Sequence, residues 1–188
     1  TTLFRSGTWR EIQYKLVVPK NQLIELTKGS LTLGNLIVEP FAVSHDAADP
    51  IGINVFSGND KATVVTDTGI ISDDILHRLD DSTLLVLEAN YDPHMLRFGP
   101  YQPFLKQRVA SDEGHLSNEM AAQALLMMKR PDFMQVILAH RSENNNNAVL
   151  VTQTIGKMLV DGGVRIGPEM KLQHGQPNEI VSMQSVKR

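Results

Sequence analysis

Between Leu23 and Val65, apolar and polar positions alternate in short runs: LIEL, SLTLG, NLIVEPFAVSH, IGINVFSG and KATVVTDTG. Turn signals at Lys28-Gly29, Gly34-Asn35 and Gly58-Asn59 separate them, which predicts antiparallel strands in a meander. Ahead of this block, Thr8-Trp9-Arg10-Glu11 has the spacing of a capping box and predicts a helix from Trp9 to about Leu16, closed by Pro19.

Beyond Asp67 the spacing changes. Ser72 caps an acidic first turn and predicts a helix through about Leu79. TLLVLEAN is nearly continuous in apolar residues, the pattern of a strand covered on both faces. A proline-rich loop and a helix around PFLKQRV follow. Ser117 then caps NEMAAQALLMMK, which ends before Pro131. FMQVILAH is a second buried strand, and Ala148 to Val160 reads as a helix ended by Gly162-Gly163. MKLQH and EIVSM, joined by Gly175-Gln176-Pro177-Asn178, predict a closing hairpin. A meander followed by alternating strands and helices predicts stacked sheets with helices outside them.

Three of the apolar runs end in a residue that binds metal well: FAVSH at His45, ATVVTD at Asp67 and QVILAH at His140. Strand ends are held rigidly yet open onto loops, where sites are usually built. Taken singly, each residue has a bland alternative. Asp67 serves as a turn former, His45 as a hydrogen-bonded structural residue, and His115, in GHLSN before a helix, as a loop residue. Taken together, two imidazoles and a carboxylate suit zinc or manganese. His115 stands beside a helix start, where anions bind and where an imidazole can protonate a leaving group.

Composition changes this picture little. The chain has 188 residues, 41% hydrophobic and 21% charged, ordinary for one globular domain. It has no cysteine, which excludes thiolate ligands, disulfides and cysteine nucleophiles. No run approaches the roughly 20 apolar residues of a membrane span, and no signal-peptide pattern is present, so a cytoplasmic home is the default. The net charge of −3 advertises no global attraction to nucleic acid. Lys106, Arg108, Lys129, Arg130 and Arg141 nonetheless lie close in sequence to the candidate site segments.

In order, SHDAADPIGINV, TDTG, LLVLEANYDPHML, LKQRVASDEGHLSN and LAHRSENN resemble the metallo-β-lactamase superfamily, and within it the WalJ/YycJ branch of DNA exonucleases. GHLSN and the AHxSxxNN segment carry the branch; TDTG alone does not. The resemblance implies an αββα sandwich with a site for two divalent metal ions, zinc or manganese. It implies that His45 binds the first ion, that Asp67 bridges both and that His140 binds the second. His115 would assist the leaving group, with Asn90, Ser117, Asn118, Ser142 and Asn144 along the phosphate path. The implied partner is DNA, with RNA as the alternative; a lactone or thioester hydrolase and a non-catalytic binding domain are the rivals. Tyr91 departs from the family, which usually has histidine there. The signature HxHxDH is absent, so residues 1–188 are expected to be the C-terminal portion of one such domain. The absent N-terminal region would supply roughly 70 to 80 residues on usual domain sizes.

Overall fold

The computed structural model describes residues 2–26, 29–176 and 178–182. Seven strands form one sheet in the order β3-β4-β5-β6-β7-β8-β9, and β1 and β2 form a separate pair. β3 (Leu31–Leu33), β4 (Leu36–Ala42), β5 (Ile51–Ser57) and β6 (Asp60–Val65) make the expected antiparallel meander. β6, β7 (Leu84–Glu88), β8 (Met134–Ala139) and β9 (Met170–His174) then run parallel.

The parallel half is joined by helical crossovers, as parallel neighbours require. α2 (Asp73–Leu79) connects β6 to β7. α3 (Pro93–Phe98), α4 (Pro103–Val109) and α5 (Asn118–Met127) lie between β7 and β8, and α6 (Ala148–Asp161) leads to β9. One apolar cluster unites Val65, Leu85, Leu87, Val136 and Leu138 of the sheet with Leu79, Leu125, Ile155 and Leu159 of the helices. Alternation along the strands sends Ile53, Val55, Leu84 and Val86 to the other face, where they are only partly buried. Val64, on that same face, is 39% exposed.

The expected caps form at Ser72 and Ser117, whose side chains accept the backbone N–H of Ile75 and Met120. Several boundaries differ. α1 spans Ser6–Ile12, not Trp9 to Leu16, and Thr8 lies inside it. Its start is served by Asp49, which accepts the Gly7 N–H at 3.3 Å and pairs with Arg5 at 3.0 Å. This tertiary cap displaces the local one. LIEL is not part of the meander: β2 (Leu23–Glu25) pairs in parallel with β1 (Thr2–Phe4). The proline-rich loop contains α3, started by Pro93 and capped by Asp92. Among the described residues the closing hairpin does not form: MKLQH pairs in parallel with β8, and residues 179–182 carry no strand. Lys28, Pro177 and Met183, to which the turn and hairpin readings extended, lie outside the described residues.

Candidate metal centre

β6, β7 and β8 are parallel neighbours, with Val65 opposite Leu87 and Glu88 opposite Ala139, so their carboxyl ends lie side by side. β4 is antiparallel to β5, which is antiparallel to β6, so β4 also ends at this edge. His45, Asp67 and His140 follow β4, β6 and β8, and the topology alone brings them together. Carboxyl ends of strands are the usual site position in open α/β sheets. Asp67 and His140 leave their strands with φ of 56° and 53°. Non-glycine residues in that left-handed region are uncommon and concentrate where side chains must be aimed.

Beneath them lies Glu88, the last residue of β7 and fully buried. Its Oε1 accepts Nδ1–H of both His115 and His140 at 2.7 Å. Its Oε2 accepts the Thr68 N–H at 3.0 Å and the Leu116 N–H at 3.4 Å. Burial pushes this carboxyl up most strongly. The hydrogen bonds from His115, His140 and Thr68 together outweigh it and hold Glu88 below the usual glutamate range. His140 is correspondingly raised, by its hydrogen bond to Glu88 first, against burial.

These bonds fix the tautomers. His45 donates Nδ1–H to the Gly114 carbonyl at 3.1 Å, so all three imidazoles spend Nδ1 on the protein. Nε2 of His45 lies 3.8 Å from Asp67 Oδ1, and Nε2 of His140 lies 3.5 Å from it. The His115 ring sits between the other two, 5.1 Å from each. His45, Asp67 and His115 each offer a ligand atom, all within 4.8 Å of one another. Imidazole nitrogens held by an acceptor behind them, facing a carboxylate, are a donor set suited to a divalent metal ion. The residues fit a divalent cation. Glu88 has no such role, since four donors already occupy its oxygens.

Comparison with known proteins agrees with this geometry. The β-lactamase superfamily domain matches residues 5–140. The chain belongs to that superfamily. It is 32% identical over 181 residues to exodeoxyribonuclease YycJ of Bacillus anthracis, covering 95% of this chain and 69% of that protein. To exodeoxyribonuclease WalJ of Streptococcus pneumoniae it is 31% identical over 176 residues, covering 91% of this chain and 65% of the relative. This superfamily member therefore falls in the YycJ/WalJ branch and spans about two-thirds of those relatives' length. Its fold also matches the crystal structure of the metallo-β-lactamase fold protein YhfI from Bacillus subtilis, with a TM-score of 0.63 at 14% identity. That likeness covers 91% of this chain and 61% of the other. The sandwich expected from the sequence is thus the right fold family, and the seven-stranded sheet is its largest element among the described residues. Divalent metal binding goes with the fold.

A cavity of about 330 Å³ adjoins the centre, lined by Asn90, Tyr101, His115, His140, Ser142 and Asn144 among others. Asn90 also donates to the His140 carbonyl at 2.7 Å, and Ser142 Oγ accepts the Asn145 N–H at 3.1 Å. Ser117 and Asn118 do not reach this cavity. Ser117 is 4% exposed and spent on its cap, while Asn118 is fully buried and bonded to Asn146 at 2.8 and 3.1 Å. Tyr91 fills a small apolar cluster with Leu96 and Val109. Gly114 is required by close approach: a Cβ there would stand 2.2 Å from the Arg108 carbonyl.

Of the basic residues near the site in sequence, Arg108 and Arg141 line the cavity. Lys129 pairs with Asp81 at 2.9 Å, before β7 begins and hence at the opposite end of the sheet. Arg130 Nη1 donates to the Leu125 carbonyl of α5 at 2.7 Å. Glu88 was missed from the sequence. Its signal was a charge inside an apolar strand, which burial tolerates only with partners.

Proposed function

We propose that this chain carries part of a metal-dependent phosphodiesterase site, and that the intact protein is a DNA exonuclease working from a 5′ end. The observation that carries the reading is the convergence of His45, Asp67, His115 and His140 at one sheet edge, with two of the imidazoles anchored on Glu88. The names of the relatives in this branch support the choice of DNA. His45, Asp67 and His140 would hold two divalent cations, zinc or manganese, with Asp67 between the two imidazoles. Bound cations supply a water activated at neutral pH and polarisation of the phosphate oxygens.

The remaining work falls to the protein. Glu88 keeps Nδ1 of His115 protonated, so Nε2 is the atom available to exchange a proton with the departing oxygen. His140 is kept in register by the same oxygen and by Asn90 on its carbonyl. Ser142 and Asn144 face the cavity and offer hydrogen bonds to a phosphate.

The test uses the full-length gene product loaded with zinc or manganese, on duplex DNA labelled at either end. Nucleotide release is expected from the 5′ terminus. Asp67→Asn should abolish it, and His115→Ala should lower kcat by about 10²–10⁴, the range for a general acid. Wild-type rates in either variant, or hydrolysis confined to lactones and thioesters, would discard the assignment.

A further inference from the structure

Most arginines that hold a position in this fold do so against a carboxylate: Arg5 on Asp49, Arg78 on Glu39, Arg108 on Asp46 and Arg165 on Glu169. Arg141 does not. Among the described residues it makes no ion pair, and its Nη1 is buried without a hydrogen-bond partner. It directly follows His140. It also lines two cavities at once, the one of about 330 Å³ beside His115 and a second of about 620 Å³ bounded by Asn146, Asn147, Gly175 and Gln176. His140 and Glu143 line both as well, so the guanidinium stands in the wall where the cavities meet. Glu143 shares this wall without pairing to Arg141. The neighbouring His174 is pushed down, by burial first and then by the Arg141 charge, and an imidazole, neutral or cationic, is in either form no counter-ion for a guanidinium.

A buried guanidinium N–H without a partner, between two cavities that meet beside the proposed phosphodiesterase site, calls for an anion. Its fork of donors matches phosphate oxygens in pairs. We propose that Arg141 holds a phosphate of the nucleic-acid strand adjacent to the one being cut, the strand passing from one cavity to the other across His140. This rests on the phosphodiesterase reading above. It makes Arg141 a substrate-positioning residue, with no part in proton transfer.

The experiment measures binding and turnover separately in the full-length, metal-loaded protein. Binding of a fluorescent single-stranded oligonucleotide is followed by anisotropy over a salt series. Turnover is compared on the oligonucleotide and on bis(p-nitrophenyl) phosphate, which has one phosphate and nothing beside it. Arg141→Ala should weaken oligonucleotide binding about 10- to 100-fold, the range for a charged hydrogen-bonded pair. The slope of log affinity against log salt should fall by about 0.7, one single-strand phosphate contact. The loss of kcat/KM on the oligonucleotide should exceed that on the small diester by about tenfold or more, and appear in KM. Arg141→Lys, which keeps the charge and the fold but not the fork, should restore the salt slope and only part of the affinity.

An unchanged salt slope in Arg141→Ala, or equal losses on both substrates, overturns the proposal. A wild type that binds the oligonucleotide but cuts neither substrate sinks the catalytic reading alone, and the salt slope still decides Arg141. A wild type that does not bind the oligonucleotide overturns both.

Discussion

Glu88→Gln is the sharpest perturbation available, because it changes one atom's chemistry and almost no volume. One oxygen of Glu88 receives two imidazole N–H groups at 2.7 Å and the other receives two backbone N–H groups at 3.0 and 3.4 Å. Glutamine has only one acceptor oxygen. Whichever way its amide is turned, an NH₂ confronts two donors. Hydrogen bonds to a charged group contribute about 1.5–3 kcal/mol each, so losing a pair costs roughly 3–6 kcal/mol against a usual total of about 5–15 kcal/mol. With the NH₂ toward the imidazoles, His140 and His115 relieve the clash by turning, which re-aims Nε2, or by changing tautomer, which protonates it. With the NH₂ toward Thr68 and Leu116, the two backbone N–H groups lose their acceptor and the loops carrying Asp67 and His115 must shift. Loss of such a supporting contact typically lowers metal affinity about 10–100-fold. Urea unfolding of the metal-free protein gives the first quantity, and zinc titration against a competing chelator gives the second. A glutamine variant with a stability loss under about 1 kcal/mol and an affinity within about twofold of wild type would refute the claim that Glu88 organises the centre.

The metal-free protein should also lose stability on both sides of a pH plateau. Glu88 is held below its ordinary value, so its contribution is present above the unfolded carboxylate pKa of about 4.5 and disappears as pH falls through the depressed one. His140 is raised, so its contribution is full below the ordinary imidazole pKa of about 6.5 and fades as pH climbs through the raised one. Urea midpoints measured from acid to mildly alkaline pH check this, and a flat profile contradicts it. Gly114→Ala drives a Cβ to 2.2 Å from the Arg108 carbonyl and displaces the carbonyl that receives His45 Nδ1–H. It should destabilise by roughly 1–3 kcal/mol, the usual cost of overpacking, and weaken metal binding; thermal unfolding and the same titration report both.

Much of this centre is legible in the sequence. His45, Asp67 and His140 announce themselves as polar residues closing apolar runs, and a parallel order of strands then makes their meeting unavoidable. The caps at Ser72 and Ser117 were legible because each is a local bond within one turn of chain. The failures share a physical cause: partners distant in sequence. α1 begins at Ser6 because Asp49 receives the Gly7 N–H, a contact that the Thr8–Glu11 spacing cannot reveal. β1 and β2 are three-residue strands whose pairing crosses a helix, too short for alternation to register. The resemblance sets Ser117 and Asn118 along the phosphate path, but both are buried away from the cavity: Ser117 Oγ accepts the Met120 N–H of its own helix, and Asn118 turns inward to Asn146. Glu88 was hidden in a run that looked apolar. Its charge was the clue, since a carboxylate in a buried strand implies donors converging on it.

Asp67 and His140 leave their strands through a backbone bend that glycine occupies with greater ease than any residue bearing a Cβ. Mutation unopposed would therefore tend to drift at these two posts toward the more comfortable residue. In a descendant freed from catalytic duty, a glycine here should be among the earliest marks of decay, arriving while the sheet is still intact.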